Sequence, residues 1–215
     1  MGINSDILKR EQGVLDHYDL KYSDLVWGEL GCQAIRKGKR GRVSAKDFYE
    51  DRGAEHVSID INGLLGSVPL DLNEPLPLQY VNRFDVVTNY GTIEHVNNQY
   101  QVFKNMHDMC KVGGIMIHTF PLVGTWIPHG RYYYSMEFVR TFADVVKYEI
   151  HSLSSIRSYV RRGKRVLIHV VYIKMFDGFV SPEDFSKLDI FDSGDMRKTG
   201  NYDNLRSRKK HNSWE

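Results

Sequence analysis

Glu94, His95 and His129 have the residue types that proton transfer requires. Glu94 and His95 are adjacent in the chain, and His129 lies in a later segment that is rich in aromatic residues. A histidine titrates near neutral pH, so its ring can accept a proton from a hydroxyl or amine nucleophile. We therefore predict that these three residues are catalytic. The alternative for His95 is a structural residue at a helix entry, and we interpret His118, inside a predicted strand, as a core residue.

A second set of candidates follows the short apolar runs that we predict to be strands. Residues 29–33 follow the first run, Asp60 ends the second, Asp71 ends the third, and residues 89–91 follow the fourth. In an open parallel sheet, ligands bind beyond the carboxyl ends of the strands. Asp60 is placed to accept hydrogen bonds from both hydroxyls of a ribose, and Asp71 could accept one from an adenine amine. Each signal is weak alone, because an Asp after a strand is more often a turn residue.

The segment at residues 121–134, PLVGTWIPHGRYYY, is long enough to cover the strand ends and wall an acceptor pocket. We predict that its aromatic residues stack on an aromatic or sugar acceptor. The alternative is that clustered tyrosines simply pack this loop on the domain. The predicted acceptor-binding residues are Trp126, His129, Tyr132 and Tyr133.

The elements that position these residues alternate between apolar runs and helix-like segments, which predicts an α/β protein with a mainly parallel sheet. A turn near residue 163 predicts that the last two strands form an antiparallel edge hairpin. The predicted helices are 5–18, 44–53, 98–111 and 135–146. The predicted strands are 25–32, 56–61, 68–72, 84–88, 115–120, 148–153 and 165–175.

The chain has 215 residues, of which 41% are hydrophobic and 26% are charged, as is typical of a globular protein. We expect an N-terminal helical segment at residues 1–24, the main domain at 25–176 and a polar, flexible extension at 177–215. No apolar run approaches the roughly 20 residues of a membrane span. Two cysteines are too few for a disulfide framework. By elimination, we expect a cytoplasmic protein with no membrane partner.

Several enzyme classes are excluded by missing motifs. The sequence has no G-x-x-x-x-G-K-S/T phosphate loop, no G-x-S-x-G nucleophile turn and no zinc-finger spacing, and we assign no metal ligands from spacing. A nicotinamide-dependent dehydrogenase needs G-x-G-x-x-G after the first strand, where this chain has GCQAIR.

The order of these segments resembles the class I methyltransferases that use S-adenosylmethionine. ELGC at residues 29–32 looks like their first motif, SID at 58–60 looks like their ribose-binding strand end, and DLNEPLP at 71–77 looks like their adenine-side loop. The most specific matches are FDVVTNYGTIEHV at 84–96 and KVGGIMIHTFP at 111–121. These two are similar to the group that includes the ubiquinone-biosynthesis O-methyltransferases.

The resemblance covers residues 25–175 and implies a Rossmann-like, seven-stranded sheet, mostly parallel, with an antiparallel last strand and helices on both faces. It also implies S-adenosylmethionine as cofactor and methyl transfer to an oxygen or nitrogen of a small-molecule acceptor. In some quinone methyltransferases, the pair that matches Glu94 and His95 is thought to bind a divalent metal. The implied cofactor-binding residues are Glu29, Gly31, Cys32, Gln33, Asp60, Ile61, Asp71, Leu72, Asn89, Tyr90 and Gly91.

The first motif departs from the family pattern, because Gln33 and Ile35 stand where glycines are usual. Gln33 and a basic residue of the following loop could bind the methionine carboxylate. The alternative is a catalytically degenerate binding protein that has kept the methyltransferase fold.

Two basic clusters could form a phosphate-binding surface for nucleic acid or for a phosphorylated substrate, or could simply be solvated. A methyltransferase that acts on nucleic acid is therefore a further hypothesis. We do not favour it, because the net charge is only +2 and no RNA-binding motif is present. The first cluster comprises Arg36, Lys37, Lys39, Arg40 and Arg42, and the second comprises Arg206, Arg208, Lys209 and Lys210.

Overall fold

Helices and strands alternate along residues 3–37, 41–126, 129–160 and 163–198, which are the residues that the computed structural model describes. The helices are α1 (Ser5–His17), α2 (Ala45–Glu50), α3 (Gln99–Met109), α4 (Met136–Val146) and α5 (Pro182–Phe185). The strands are β1 (Val26–Leu30), β2 (Ala34–Lys37), β3 (Gly41–Ser44), β4 (Glu55–Ile59), β5 (Phe84–Tyr90), β6 (Cys110–Pro121), β7 (Tyr132–Tyr133), β8 (Glu149–Val160), β9 (Gly163–Ile173) and β10 (Phe191–Asp192).

The central sheet has the strand order β4-β1-β5-β6-β9-β8. The pairs β1–β4, β1–β5 and β5–β6 are parallel, whereas β9 runs antiparallel to both β6 and β8. The carboxyl ends of the four parallel strands therefore lie at one edge of the sheet. The predicted α/β architecture, with a mostly parallel sheet and an antiparallel closing strand, is confirmed.

The predicted strand at residues 68–72 is reduced to a single bridge. Val68 pairs with Ile59 in the parallel sense, and its N–H donates to the Ser58 carbonyl at 2.8 Å. Pro69 follows at once, and because proline has no N–H, the ladder does not continue through it. The central sheet of the described chain therefore has six strands rather than the seven that we predicted.

A hairpin stands where the sequence predicts a basic loop. β2 and β3 are antiparallel, with Ile35 opposite Val43 and Arg36 opposite Arg42. Ile35 is buried, and a parallel bridge to Ile3 extends this small sheet. The alternation of β-branched and basic residues suits a ribbon with one buried and one solvated face. The loop prediction was wrong because the basic residues concealed this alternation.

Helices cover both faces of the sheet. α1 and α2 pack on one face around Trp27 and Val86, and α3, α4 and α5 pack on the other around Phe103. Ser44 and Ser135 accept hydrogen bonds from the first turns of α2 and α4, as predicted for capping residues. No described helix is long and apolar enough to cross a membrane.

The described part of the C-terminal extension, residues 177–198, contacts the domain. The buried ring of Phe185 lies 5.5 Å from that of Phe103. β10 pairs with β7, and Arg131 donates two hydrogen bonds to the Asp192 carboxylate at 2.8 and 2.6 Å. Several basic residues of the two predicted clusters lie outside the described residues: Lys39, Arg40, Arg206, Arg208, Lys209 and Lys210.

Candidate functional site

Gly31 makes the tight turn after β1. Its φ of +82° lies in the left-handed region that favours glycine. A Cβ at this position would lie 2.2 Å from the hydroxyl oxygen of Thr92. Its N–H donates to the Ile59 carbonyl at 2.7 Å. The glycine therefore allows the ends of β1 and β4 and the segment after β5 to meet.

Asp60 joins the ends of β1 and β4. Its carboxylate accepts hydrogen bonds from the N–H of Cys32 at 2.9 Å and the N–H of Asn62 at 3.1 Å. These bonds fix the carboxylate directly beyond the glycine turn. Burial, and next the charge of Asp60, raise the pKa of the Cys32 thiol to about 12. Cys32 is therefore a thiol at neutral pH and has no nucleophilic role.

Gln33 closes the turn against the end of β5. Its Nε2 donates to Thr92 Oγ1 at 3.2 Å, and that hydroxyl donates to the Leu30 carbonyl at 2.8 Å. Asn89 Oδ1 accepts from the N–H groups of Thr92 and Ile93. These hydrogen bonds connect the turn after β1 with the segment after β5, and Gln33 makes one of them at a position where the family's first motif usually has glycine.

Three buried polar atoms at these strand ends have no hydrogen-bond partner among the described residues: Glu29 Oε1, Gln33 Oε1 and Asn89 Nδ2. A buried polar group without a partner costs about 1–3 kcal/mol. A polar ligand that reaches these atoms would remove that cost. The orphaned atoms therefore mark the strand ends as a place suited to a polar ligand.

Glu29 is fully buried, and burial raises its pKa well above the ordinary value. His56 Nε2 lies 3.8 Å from Glu29 Oε2. Burial lowers the pKa of His56 to about 3. The imidazole is therefore uncharged at neutral pH, and the close approach is not an ion pair.

Glu94, His95 and His129 meet just beyond the end of β5. Glu94 Oε1 lies 3.2 Å from Nε2 of His129 and 3.9 Å from Nε2 of His95. One donor atom from each residue lies within 4.8 Å of the others, which is close enough to hold a metal ion. Glu94 is fully buried, whereas both rings are partly exposed. The structure thus brings together the three residues that the sequence predicts to be catalytic.

The charges of this cluster follow from its contacts. Burial acts to raise the pKa of Glu94, but the hydrogen bond from His129 and the two nearby histidines outweigh it, so the pKa lies below its ordinary value. Burial lowers the pKa of His129, and the contact with Glu94 acts in the opposite direction. At neutral pH, Glu94 is ionised and His129 is neutral. If its Nε2–H donates to Glu94, Nδ1 carries the lone pair that can accept a proton.

The orientation of His95 is set by the C-terminal extension. Its Nδ1 lies 2.7 Å from the carbonyl oxygen of Lys198. A carbonyl only accepts, so Nδ1 carries the proton and Nε2 of the neutral ring carries the lone pair. That lone pair is on the side of Glu94 Oε1. The sequence around residue 198 contains no pattern that indicates this contact.

Trp126 lies between His129 and Arg165. Its ring is 3.5 Å from that of His129 with an interplanar angle of 4°, and the Arg165 guanidinium is 3.5 Å from the indole centroid. Two groups this close do not fit on the same face of one ring, so they occupy opposite faces. Trp126 has a φ of +56°, which is unusual for a bulky residue. Sequence reasoning missed Arg165, because the start of an apolar strand carries no functional signal.

Tyr132 and Tyr133 use their hydroxyls within the protein. Tyr132 donates to the Asn97 carbonyl at 2.9 Å, and the hydroxyl oxygen of Tyr133 accepts from the N–H of His129 at 2.9 Å. Both side chains are buried. Tyr133 therefore holds the main chain that carries His129.

The remaining predicted cofactor-binding residues lie around the same edge. Asp71 Oδ1 accepts from the backbone and side-chain nitrogens of Asn73, which makes a local turn. Leu72 is buried, and Ile61 is exposed. Gly91 has a φ of +87° immediately after β5.

Tyr90 is directed to the opposite side of the sheet, where it meets a buried carboxylate. Glu11 of α1 accepts hydrogen bonds from the hydroxyls of Tyr22 at 2.8 Å, Tyr49 at 2.8 Å and Tyr90 at 2.5 Å. Sequence reasoning missed this cluster. The available signal was the position of Glu11, four residues after the buried Ile7, on the apolar stripe of α1.

His118 is a core residue, as we predicted. It is 1% exposed, its ring stacks 5.1 Å from that of Phe120, and neither ring nitrogen has a partner among the described residues. Burial lowers its pKa to about 3.

Comparison with known protein families gives a match over residues 44–118, from the N-cap of α2 to β6, to a methyltransferase domain family. The matched stretch contains Asp60 and Glu94, and it includes β4, β5 and most of β6, which are three of the four parallel strands. This stretch of the chain is therefore similar to a methyltransferase domain. The resemblance that the sequence motifs indicate is thereby confirmed, and no curated protein matches the chain.

Solved structures share the fold of this methyltransferase domain at low identity. The 1,6-didemethyltoxoflavin-N1-methyltransferase of Burkholderia thailandensis, solved with S-adenosylhomocysteine, is 11% identical with a TM-score of 0.51 over 80% of this chain and 87% of that chain. The N-methyltransferase NodS of Bradyrhizobium japonicum, also solved with S-adenosylhomocysteine, is 13% identical with a TM-score of 0.50 over 79% and 88%. The [4+2]-cyclase SpnF is 13% identical with a TM-score of 0.51 over 71% and 75%. At such identities the likeness concerns the fold, which hosts more than one reaction.

Proposed function

We propose that this methyltransferase domain transfers the methyl group of S-adenosylmethionine to an oxygen or nitrogen of a small-molecule acceptor. The observation that carries the proposal is the buried, ionised Glu94 that orients His129 at the carboxyl edge of the sheet, one turn beyond the strand ends suited to the cofactor. Glu94 and His129 therefore lie at the same edge of the sheet as the residues that we propose to bind the cofactor, which supports the proposal.

The residues at the strand ends fit S-adenosylmethionine. Asp60 presents a fixed carboxylate after β4, which suits the two ribose hydroxyls. The orphaned oxygens of Glu29 and Gln33 are acceptors for the ammonium group of the methionine part, and the orphaned Nδ2 of Asn89 is a donor for its carboxylate. Asp71 would lie on the adenine side, as the family resemblance implies.

The bound cofactor supplies a methyl group on a positively charged sulfur, and most of the rate of its transfer comes from holding the acceptor in line and excluding water. In this chain, Trp126 and His129 form the wall that orients the acceptor. His129 Nδ1 accepts the acceptor's proton, and Glu94 stabilises the imidazolium that results. His95 Nε2 is the other available proton acceptor.

A second role for the same three residues is binding of a divalent cation. His95 Nε2 and Glu94 Oε1 lie 3.9 Å apart, and the Lys198 carbonyl accepts from Nδ1, which leaves Nε2 of the neutral tautomer to bind a cation. Carboxylate and imidazole are ligands that Mn²⁺ accepts. A cation at this point would bind the acceptor oxygen and lower the pKa of its hydroxyl.

Isothermal titration calorimetry with S-adenosylmethionine and S-adenosylhomocysteine tests the proposed function. We expect both to bind the full chain. Asp60→Ala should weaken binding by about 1.5–3 kcal/mol, because charge-assisted hydrogen bonds to the ribose are lost. Asp60→Asn keeps an acceptor oxygen and should lose less.

The control is Asp144→Ala, which removes an exposed carboxylate on α4, away from the strand ends. It should leave both affinities unchanged. Failure of the unaltered, folded chain to bind either compound would contradict the proposed function and favour a degenerate domain. Equal binding by Asp60→Ala and the unaltered chain would contradict the ribose assignment alone.

A further inference from the structure

Arg131 connects the segment after β5 with the C-terminal extension. Its N–H donates to the Glu94 carbonyl at 3.1 Å, and its Nη1 donates to Asn97 Oδ1 at 2.8 Å. On the side of the extension, its guanidinium donates to both carboxylate oxygens of Asp192, and its carbonyl accepts from the Ser193 N–H at 2.9 Å. One residue therefore holds the extension against the segment that carries the proposed proton acceptors.

A second contact joins the extension to the same segment. The carbonyl oxygen of Lys198 lies 2.7 Å from His95 Nδ1. Between the two contacts the chain turns, and the Gly194 N–H donates to Asp192 Oδ1 at 2.7 Å. We call residues 192–198 the clamped segment. Because both ends of this short segment contact the site, the position of the Lys198 carbonyl depends on the ion pair at the other end.

The ion pair between Arg131 and Asp192 has the geometry of an effective clamp. Exposed ion pairs contribute little to stability unless they are bidentate or belong to a network. This pair is bidentate, and Nη1 of the same guanidinium also donates to Met196 Sδ at 2.8 Å. The strand pairing beside it is short, because β10 and β7 have two residues each. Loss of the ion pair should therefore release the segment.

Two acceptors compete for the proton of the neutral His95 ring. The Lys198 carbonyl is 2.7 Å from Nδ1, whereas Glu94 Oε1 is 3.9 Å from Nε2. Glu94 Oε2 is buried and has no hydrogen-bond partner among the described residues, so this carboxylate can accept a further bond. With the carbonyl in place the proton is on Nδ1, but without it the carboxylate favours a proton on Nε2.

We propose that Arg131 and Asp192 are positioning residues, which clamp the segment so that His95 keeps its proton on Nδ1 and its lone pair on Nε2. Release of the clamp breaks the N–H bond at Nδ1 and forms one at Nε2. Water carries the proton to the ring, which is 22% exposed, and the charge of the ring does not change. Nε2 then donates to Glu94 and no longer accepts a proton. The use of that lone pair in methyl transfer rests on the proposed function, whereas the tautomer does not.

The test is nitrogen-15 NMR of the histidine rings in the full chain at about pH 8.5, where a histidine with an ordinary pKa is neutral. The His95 signals are those that disappear in His95→Gln. The unaltered chain should show the Nδ1–H tautomer. Arg131→Asp places a carboxylate opposite Asp192 and should shift the ring to the Nε2–H tautomer. The double variant Arg131→Asp/Asp192→Arg restores the ion pair and should restore the Nδ1–H tautomer.

Amide hydrogen exchange at Ser193 shows on the same samples whether the segment is docked, because this N–H donates to the Arg131 carbonyl. In Arg131→Asp its exchange rate should rise about tenfold or more. The control is Lys187→Gln, which removes an exposed ion pair with Asp184 inside the extension. It should change neither the exchange rate nor the tautomer.

An Nδ1–H tautomer in Arg131→Asp, together with fast exchange at Ser193, would overturn the proposal, because His95 would keep that proton without the docked segment. Slow exchange in Arg131→Asp would overturn the clamping role of the ion pair. Affinity for S-adenosylmethionine is measured separately. If the unaltered chain does not bind it while the tautomer shifts as expected, the proposed function fails and the positioning of His95 stands. Binding with an unshifted tautomer leaves the transferase and removes this role of Arg131.

Discussion

The candidate site is built from side chains that lie far apart in the sequence and meet at one edge of the sheet. Asp60 and Glu94 follow compact apolar runs, and the parallel-sheet rule places both at one edge. Glu94 and His129, in contrast, are 35 residues apart and belong to different loops. Only packing determines that Glu94 meets His129 rather than another histidine. The role of Arg165 could not be predicted for the same reason, because Arg165 and Trp126 lie in separate elements and come into contact only when the chain folds.

The proposed binding of a divalent cation by Glu94, His95 and His129 can be tested with single substitutions. Chelator-treated protein should bind MnCl₂ in a calorimetric titration, and Glu94→Gln should weaken that binding about tenfold or more, because a charged ligand becomes a neutral one. Glu137→Gln on α4 is the matched control and should bind as the unaltered chain does. If the unaltered chain takes up no Mn²⁺, the cluster has only the proton-transfer role.

At the scale of elements, a buried carboxylate adds hydrogen bonds to the apolar packing that holds α1 on the sheet. Glu11 accepts from Tyr22, from Tyr49 of α2 and from Tyr90 of β5, so it links three parts of the fold. Burial raises its pKa, and the three hydroxyl donors act in the opposite direction. Because Tyr90 precedes Gly91 at the site edge, this link also holds the end of β5.

Replacing Glu11 should therefore destabilise the domain as a whole. Glu11→Ala leaves the buried hydroxyls of Tyr49 and Tyr90 and the partly buried hydroxyl of Tyr22 without an acceptor, and should lower the free energy of unfolding by roughly 3 kcal/mol or more. Glu11→Gln keeps an acceptor oxygen and should cost less. Urea denaturation followed by near-UV circular dichroism measures both. Gln12→Ala, on the exposed side of α1, should change stability by less than about 0.5 kcal/mol. A similarly small effect for Glu11→Ala would show that the tyrosine cluster is not needed to hold α1.

The elements themselves were largely predictable, and each error has a local cause. Helices with a serine cap and an apolar stripe, such as α4 after Ser135, formed where the pattern placed them. The strand predicted at 68–72 does not form beyond one bridge, because Pro69 has no N–H to donate to the hydrogen-bond ladder. The β2–β3 hairpin was missed because its solvated face is basic, which made an alternating ribbon resemble a loop.

The whole molecule contains several histidines that folding keeps neutral. Burial lowers the pKa of His56 to about 3, of His118 to about 3 and of His169 to about 4. In the unfolded chain a histidine titrates near pH 6.5. Between about pH 6.5 and 4, the unfolded chain therefore binds more protons than the folded one. Each of these residues lowers stability by about 1.4 kcal/mol per unit as the pH falls through that window.

His118→Phe should remove one such contribution. Phe is apolar and suits the neighbouring Phe120 and Tyr172, and the substitution also removes two orphaned nitrogens. Unfolding free energies from urea titrations between pH 7.5 and 4.5 should therefore fall less steeply for the variant, by about 1.4 kcal/mol per pH unit below pH 6.5. Replacement of the exposed His17 by Gln is the control. An unchanged slope in His118→Phe would mean that this residue is protonated in the folded state.

The indole of Trp126 gives the molecule an optical signal at its proposed acceptor site. Trp27 is fully buried and stacks on Tyr49, so we expect its fluorescence not to change when a ligand binds at the sheet edge. Trp126 has an imidazole on one face and a guanidinium on the other. An imidazolium quenches indole fluorescence, so proton uptake by His129 would lower the fluorescence intensity of Trp126. With the third tryptophan, Trp214, replaced by Phe, acceptors that change the surroundings of Trp126 could be screened by their effect on its fluorescence, before any methyl transfer is observed.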